Sequence, residues 1–395
     1  MVYKLIEMDT LNNLRKRILN KIGRDLITLF TYRKRNRILF MQESASGSNS
    51  YALWKLAGDS VKNKYELILA ADSSDEGKGL VHFIKKNRLL ASAQLIVTTH
   101  ASYKPSKKHL HLQLWHGETI KKLGVMVKDG SGRYLLPKSW QKVDYIMSYS
   151  ETYSTFLNAC MVTDPNKYII TGAPRNDFMF LADGLSNLRK IFGDKLEGYK
   201  TIFFLPTYRE GRCGKGQPDK ECNNPFCFKG FLPEEFDSFL EKNKCKMVFK
   251  PHPNEEPVVL EYFRNYPLKN MLILRDSDLV SKQLDLYELL NACEILITDY
   301  SSIFCDYLLL DKPMIFTPVD IDAYKEARGF LVESFESWTP GPKVLNQDAL
   351  QKEIGKCFAD KDYYALQREG SRNLHHRYKD GESSERLWEF IGTII

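Results

Sequence analysis

No run in this 395-residue sequence approaches the ~18 consecutive apolar residues of a membrane-spanning helix. The first residues also lack the charged, apolar and small-residue succession of a secretory signal. Neither an integral membrane protein nor an exported one is expected. The glycine-rich loop of P-loop nucleotidases and the G-x-G-x-x-G dinucleotide fingerprint are missing, so neither common ATP hydrolysis nor nicotinamide redox chemistry is supported. Internal repeats and low-complexity tracts are absent as well. Cys213, Cys222 and Cys227 do not have the spacing of paired zinc knuckles, and no histidine lies near them. The Asp320-Ile321-Asp322 pattern follows a strand at the far end of its series, and no metal is assigned to it. Eight cysteines without an export signal read as reduced thiols of a cytosolic protein.

What is present is ordinary globular material: 43% hydrophobic and 27% charged residues, enough for two or three domains. The formal charge of +7 is not spread along the chain. Residues 1–37 hold ten Lys and Arg against three acidic residues, and the remainder has 47 of each sign. A nucleic-acid partner is therefore not expected of the body. Within the basic segment Leu11, Leu14, Ile18, Ile22, Leu26 and Leu29 form one helical stripe, with Asp9 and Thr10 as candidate N-caps. Arg15, Lys16, Arg17, Lys21 and Arg24 lie on the polar face. This is the pattern of a helix resting on an anionic membrane surface, and a helix packed on the protein body has the same stripe.

From Ile38 onward, β-rich runs alternate with helical patterns. Strands are expected at Ile38–Met41, Leu67–Ala71, Leu95–Thr99, His111–Trp115, Tyr145–Ser148 and Tyr168–Thr171, with helices at Tyr51–Val61 and Lys78–Lys86. A second series comprises Thr201–Leu205, Met247–Lys250, Met271–Leu274, Ile295–Thr298 and Met314–Thr317. The alternation predicts an α/β protein of two doubly wound domains with a cleft between them. The expected division is a basic amphipathic segment 1–37, a first domain 38–190 and a second 191–395, whose last helix packs back on the first. Arg209–Lys229, rich in Gly, Pro, Asn and Cys, reads as a surface loop.

His116 and His252 each follow the carboxyl end of a strand, where open α/β sheets place their ligands. One such histidine per domain is a more specific signal than a lone one. His82, His100, His109, His111, His375 and His376 lack this setting and read as structural or surface residues. Asp299-Tyr300-Ser301-Ser302 ends one strand and opens a helix, an arrangement that suits phosphate oxygens, although Asp299 or Ser301 would serve equally as a plain N-cap. Thr207 and Arg209 follow another strand. Arg175 and Asp177 read as a buried pair fixing the interdomain hinge.

Leu114-Trp115-His116-Gly117 with Lys121, Lys122 and Gly124, Gly172 to Asp177, Pro206 to Arg209, His252-Pro253, Asp285 to Leu289, Ile297 to Ser302, Phe304 to Asp306, Arg328-Gly329-Phe330, and Asp380-Gly381 with Ser383 together resemble the CDP-glycerol glycerophosphotransferase family. These are teichoic acid primases and polymerases, with capsule relatives. The resemblance runs in order from about residue 38 to 392. It implies a GT-B fold and transfer of glycerol phosphate, or another polyol phosphate, from CDP-glycerol or CDP-ribitol to an acceptor hydroxyl with release of CMP. No tightly bound cofactor is implied. His116 is then the base and His252 the stabiliser of the donor pyrophosphate. Thr207, Arg209, Lys250, Asp299, Ser301, Ser302 and Asp306 fall on the donor side; Gly117, Glu118 and Lys121 fall on the acceptor side. Glu118, where many relatives have Thr, adds a carboxylate beside the base that would either raise the pKa of His116 or read a different acceptor. The resemblance further implies a lipid-linked or polymer acceptor and work at the cytoplasmic membrane face. The competing readings are a GT-B glycosyltransferase using a nucleotide sugar, and an inactive member that binds a polyanion or membrane.

Overall fold

The computed structural model describes residues 18–42, 44, 46–71, 79–100, 103–118, 120–128, 132–209, 224–332 and 334–395. Leu11, Leu14, Arg15, Lys16 and Arg17 of the expected N-terminal helix lie outside the described residues. A helix over 18–30 contains the rest of the stripe.

Among the described residues, eleven strands form two parallel sheets. The first contains β1 (Arg37–Gln42), β2 (Glu66–Ala71), β3 (Leu95–Thr98), β4 (Leu110–Gln113), β5 (Tyr145–Ser148) and β6 (Tyr168–Ile170) in the order β2-β1-β3-β4-β5-β6. The second contains β7 (Lys200–Phe204), β8 (Cys245–Phe249), β9 (Met271–Ile273), β10 (Ile295–Thr298) and β11 (Met314–Phe316) in the order β11-β10-β7-β8-β9. Helices cover both faces of such sheets, so inner strands read as unbroken apolar runs rather than alternating ones. β8 and β10 are buried along their whole length. The order of strands reverses beside β1 and β3 in the first sheet and beside β7 and β10 in the second. Crevices open at the carboxyl ends of strands at such points.

Two sequence expectations are corrected. The helix expected over Tyr51–Val61 is two, Asn49–Lys55 and Asp59–Lys64, because Gly58 takes an extended conformation between them. The Arg209–Lys229 stretch is not surface loop throughout. Asn224 holds a turn through its Oδ1, which accepts from the Phe226 and Phe228 backbone amides at 3.1 Å. Phe226 and Phe228 are buried among Phe204, Phe236 and Phe249. Gain from burying two aromatic rings outweighs the loop-forming composition around them.

The chain crosses back at its far end. The helix Ser383–Ile394 places Leu387, Trp388 and Ile391 in the same core as Ile38 and Phe40 of β1. Asp177 is completely buried and accepts from the Ser383 and Ser384 amides at 3.0 and 2.7 Å, which anchors the start of that helix. The halves meet again where Lys121 forms an antiparallel bridge with Phe330. Gly47 donates to Asp285 at 2.7 Å, and Lys55 pairs with Glu288 at 2.8 Å.

Candidate active site

The turn after β4 is the first half's contribution. β4 ends before the expected Trp115 because Trp115 has left-handed backbone (φ 49°), which a ladder cannot continue. Such a residue costs on the order of 1–3 kcal/mol and persists only when its surroundings hold it. Here Gln113 Oε1 accepts from the Trp115 amide at 3.0 Å, and Asn49 Nδ2 donates to the Trp115 carbonyl at 2.8 Å. The result turns His116 out of the sheet. Its ring lies 3.9 Å from the Trp115 ring and 4.3 Å from that of His100. Crowding by protein comes first, followed by His100, Arg175 and Lys121; together they hold the imidazole well below its ordinary value, against an opposing bond to the Thr99 backbone. The neutral ring that results donates at one nitrogen and keeps a lone pair on the other.

Gly117 brings this turn against the second half. A Cβ there would stand 2.8 Å from Ser302 Oγ and 3.4 Å from Arg175 Nη2. Arg175 is the clasp. Its Nη1 donates to the His116 carbonyl at 2.7 Å and to that of Gly47 at 3.1 Å, while Nη2 reaches Asp306 at 2.6 Å. Tyr287 also donates to Asp306, at 2.7 Å, and the Arg175 guanidinium lies over the Tyr287 ring.

These contacts correct three expectations. Arg175 and Asp177 are both buried, but they do not pair: Arg175 meets Asp306, and Asp177 meets the Ser383–Ile394 helix. Asp306 is 1% exposed inside that interdomain pair rather than facing a donor. Glu118 turns inward, where Oε2 lies 3.1 Å from Nδ1 of the buried His375. The His116 pKa is lowered, with burial as the leading cause, so of the two readings of Glu118 the raised pKa does not hold. His111 and His376 are likewise buried with partners, Thr98 and the Cys305 carbonyl.

In the second half, Asp299 is completely buried at the end of β10. Its Oδ1 accepts from the Thr207 and Tyr300 amides at 2.7 and 2.6 Å, and its Oδ2 takes Arg209 Nη1 at 2.5 Å. Asp299 therefore ties two post-strand loops together and is not a helix cap; Ser302 occupies the N-cap position with no side-chain capping bond. Arg209 also grips Asp320 with Nε and Nη2 at 2.8 and 2.5 Å and lies over the Tyr300 ring. Lys250 pairs with Asp276 at 2.7 Å. His252 is exposed, its ring 4.9 Å from that of Tyr208. Its Nδ1 accepts from the Asn254 amide at 3.2 Å, which leaves Nε2–H as the outward donor of the neutral ring. Lys121, expected on the acceptor side, instead lies among second-half groups. Its ammonium is 5.5 Å from the Tyr324 ring centre, and burial, helped by Arg328 and Arg209 and opposed by Asp299, brings its pKa down to about 8.

These contacts bring together His116, Gly117, Lys121, Thr207, Arg209, Asp299 and Ser302, with Ser301 beside Ser302 in the chain and His252 adjoining through Tyr208. Sequence reasoning missed Asn49, and it gave Tyr287 no role although it lies in the Asp285 to Leu289 segment. An Asn at a helix start looks like any cap, and nothing in the spacing marks Tyr287 as a partner of Asp306.

Residues 26–393 match the family described as CDP-glycerol:poly(glycerophosphate) glycerophosphotransferase. The chain belongs to that family. It is similar to the teichoic acid ribitol-phosphate polymerase TarL of Staphylococcus aureus, at 27% identity over 91% of this chain and 62% of that protein. It is also similar to the teichoic acid glycerol-phosphate primase of Bacillus subtilis, at 25% identity over 93% of this chain and 92% of that protein. The chain thus spans less than two thirds of TarL and 52% of the related TarK, and nearly all of the primase. Among solved structures, the wall teichoic acid polymerase TagF superposes with a TM-score of 0.73 at 19% identity, over 98% of this chain and 96% of the other. A TagF variant has also been solved after soaking with CDPG. The expected GT-B fold is therefore the fold of this family member.

Proposed function

We propose that the protein transfers glycerol phosphate, or a related polyol phosphate, from a CDP-polyol to an acceptor hydroxyl in teichoic-acid-like or capsule polymer synthesis. The observation that carries this reading is the neutral imidazole of His116 on a strained turn, with Arg175 and Lys121 near the ring and the neighbouring Gly117 set against Ser302 of the opposite half. The acceptor oxygen attacks the polyol-bearing phosphorus of the donor. His116 takes the hydroxyl proton on the nitrogen not bonded to Thr99, the anhydride P–O bond breaks, and CMP leaves. His252 Nε2–H, Arg209, Lys121 and the Ser301 and Ser302 hydroxyls offset the phosphate charge as it shifts to CMP. In this reading Asp299 and Asp320 aim the Arg209 fork, and Asp306 holds the halves in register.

The acceptor is read as lipid-linked or polymeric, met on the first half, with the donor met mainly on the second. We further read the protein as cytoplasmic and peripheral at the inner membrane face. No described helix is long and apolar enough to cross a membrane. Support comes from the helix over 18–30, which turns its apolar side outward: Ile18, Ile22 and Leu26 are each 50% exposed, and Leu29 is 74% exposed. A helix packed for stability would bury that side.

CMP release from CDP-glycerol, CDP-ribitol and a UDP-sugar control, each with and without a lipid-linked acceptor mimic, tests the reading. Acceptor-dependent CMP from one CDP-polyol is expected, and consumption of the UDP-sugar alone would replace phosphotransfer with glycosyl transfer. His116→Ala is expected to lower turnover by about 10²-fold or more with donor binding retained. Near-normal turnover would remove His116 from the reaction.

A further inference from the structure

The turn that carries His116 is pinned at successive residues. Gln113 and Asn49 hold Trp115, Arg175 holds the His116 carbonyl, and Gly117 stands against Ser302. Glu118 comes next. Its side chain, 2% exposed, runs inward until Oε2 lies 3.1 Å from Nδ1 of the fully buried His375. His375 ends the helix Ala365–His375 and stands edge-on to Phe304 and Trp338, with ring centres 6.4 and 5.6 Å away. Its Nε2 finds no hydrogen-bond partner among the described residues, which leaves Glu118 to set the orientation of the ring. The backbone around His375 is tied to both halves: Ser150 donates to the Leu374 carbonyl at 3.2 Å, His376 Nε2 to the Cys305 carbonyl at 2.7 Å, and the Arg377 amide to the Tyr149 carbonyl at 3.0 Å. Glu118 is therefore bonded to a fixed point.

We propose that Glu118 and His375 are a positioning pair for His116, fixing its turn on the C-terminal side so that the imidazole meets the acceptor hydroxyl in the reactive orientation. This rests on His116 acting as the base. Such a pair is a poor device for stability alone, because burying ionisable groups is costly and well-packed apolar side chains of similar volume are often as stable or more so. What it supplies is direction. A hydrogen bond of set length fixes where the chain leaves Gly117 and thereby, two residues back, how the His116 ring is presented; small displacements of a reacting group are expensive in rate.

The test is CMP release by the full chain from CDP-glycerol with a lipid-linked acceptor mimic, for Glu118→Ala, Glu118→Gln and Glu118→Leu/His375→Phe, each in the wild-type and His116→Ala backgrounds and each checked by urea unfolding. With His116 present, Glu118→Ala and the apolar double variant are expected to lower kcat by about 10- to 100-fold while the KM for CDP-glycerol, met mainly on the other half, moves by less than about two-fold. Glu118→Gln, whose amide oxygen still accepts from Nδ1–H, is expected to stay within about five-fold of wild type. In the His116→Ala background none of the three should lower turnover further, because the pair acts only through that imidazole. A folded apolar double variant, or a folded Glu118→Ala, with wild-type kcat would overturn the pair's role, and where one of the two fails to fold the other decides. An equal fall in both backgrounds, or Glu118→Gln as impaired as Glu118→Ala, would overturn it as well. Wild-type turnover by His116→Ala alone would instead strike the base assignment on which the pair depends.

Discussion

The Arg175–Asp306 pair lends itself to a quantitative prediction. Its side chains are 5% and 1% exposed, and it joins the turn bearing His116 to the helix that follows Ser302. Removing one partner strands a buried charge, at about 3–5 kcal/mol, whereas removing both leaves none. Arg175→Met and Asp306→Asn should each lower stability by that order. The double variant should be about 2–3 kcal/mol more stable than the sum of the two single losses predicts. Turnover should not follow. Arg175 Nη1 also holds the His116 carbonyl at 2.7 Å, and this bond is lost with the guanidinium whatever stands at 306. A charged donor on a carbonyl is worth about 1.5–3 kcal/mol, which converts to roughly 10- to 100-fold in rate. Urea unfolding and CMP release on the four proteins measure both quantities. Single losses that add to within about 0.5 kcal/mol, or a double variant with wild-type CMP release, would refute the reasoning.

Two further predictions concern the cleft. Burial brings the Lys121 pKa down to about 8, so its ammonium loses its proton as pH rises through that value and an anionic donor loses a cation. The KM for CDP-glycerol is expected to climb above pH 8 in wild type and to stay flat in Lys121→Arg; parallel profiles would remove Lys121 from donor binding. Gly117→Ala puts a methyl group 2.8 Å from Ser302 Oγ and should separate the two walls of the cleft. A fall of about 10- to 100-fold in kcat/KM is expected, and wild-type values would mean that the close approach is not needed for turnover.

Much of the scaffold was legible because parallel strands buried on both faces leave continuous apolar runs. Tyr145–Ser148 and Ile295–Thr298 were read to the residue. Legibility fails where the chain bends for chemistry, as at Trp115, whose aromatic side chain suggests strand while its backbone ends one. It fails again for polar residues whose partners are distant. Glu118 and His375 are 257 positions apart, and Arg175 and Asp306 are 131 apart, so neighbouring residues pointed to the wrong partners. His116 and His252 stand out in the sequence because their signal is local, a histidine shortly after a strand. For Phe226 and Phe228 the aromatic spacing was a usable signal that the surrounding Gly, Pro and Asn concealed.

The return of the Ser383–Ile394 helix to the first half sets an order of events during synthesis. Ile38 and Phe40 of β1 share a core with Leu387, Trp388 and Ile391, which are made more than three hundred residues later. At about 5–20 residues per second the wait is tens of seconds. The nascent first half must spend it with an open apolar wall, while the second half, whose core clusters contain none of these three residues, can close once the helix Gln347–Ala359 is made. Folding of the first half is therefore sealed by the Ser383–Ile394 helix.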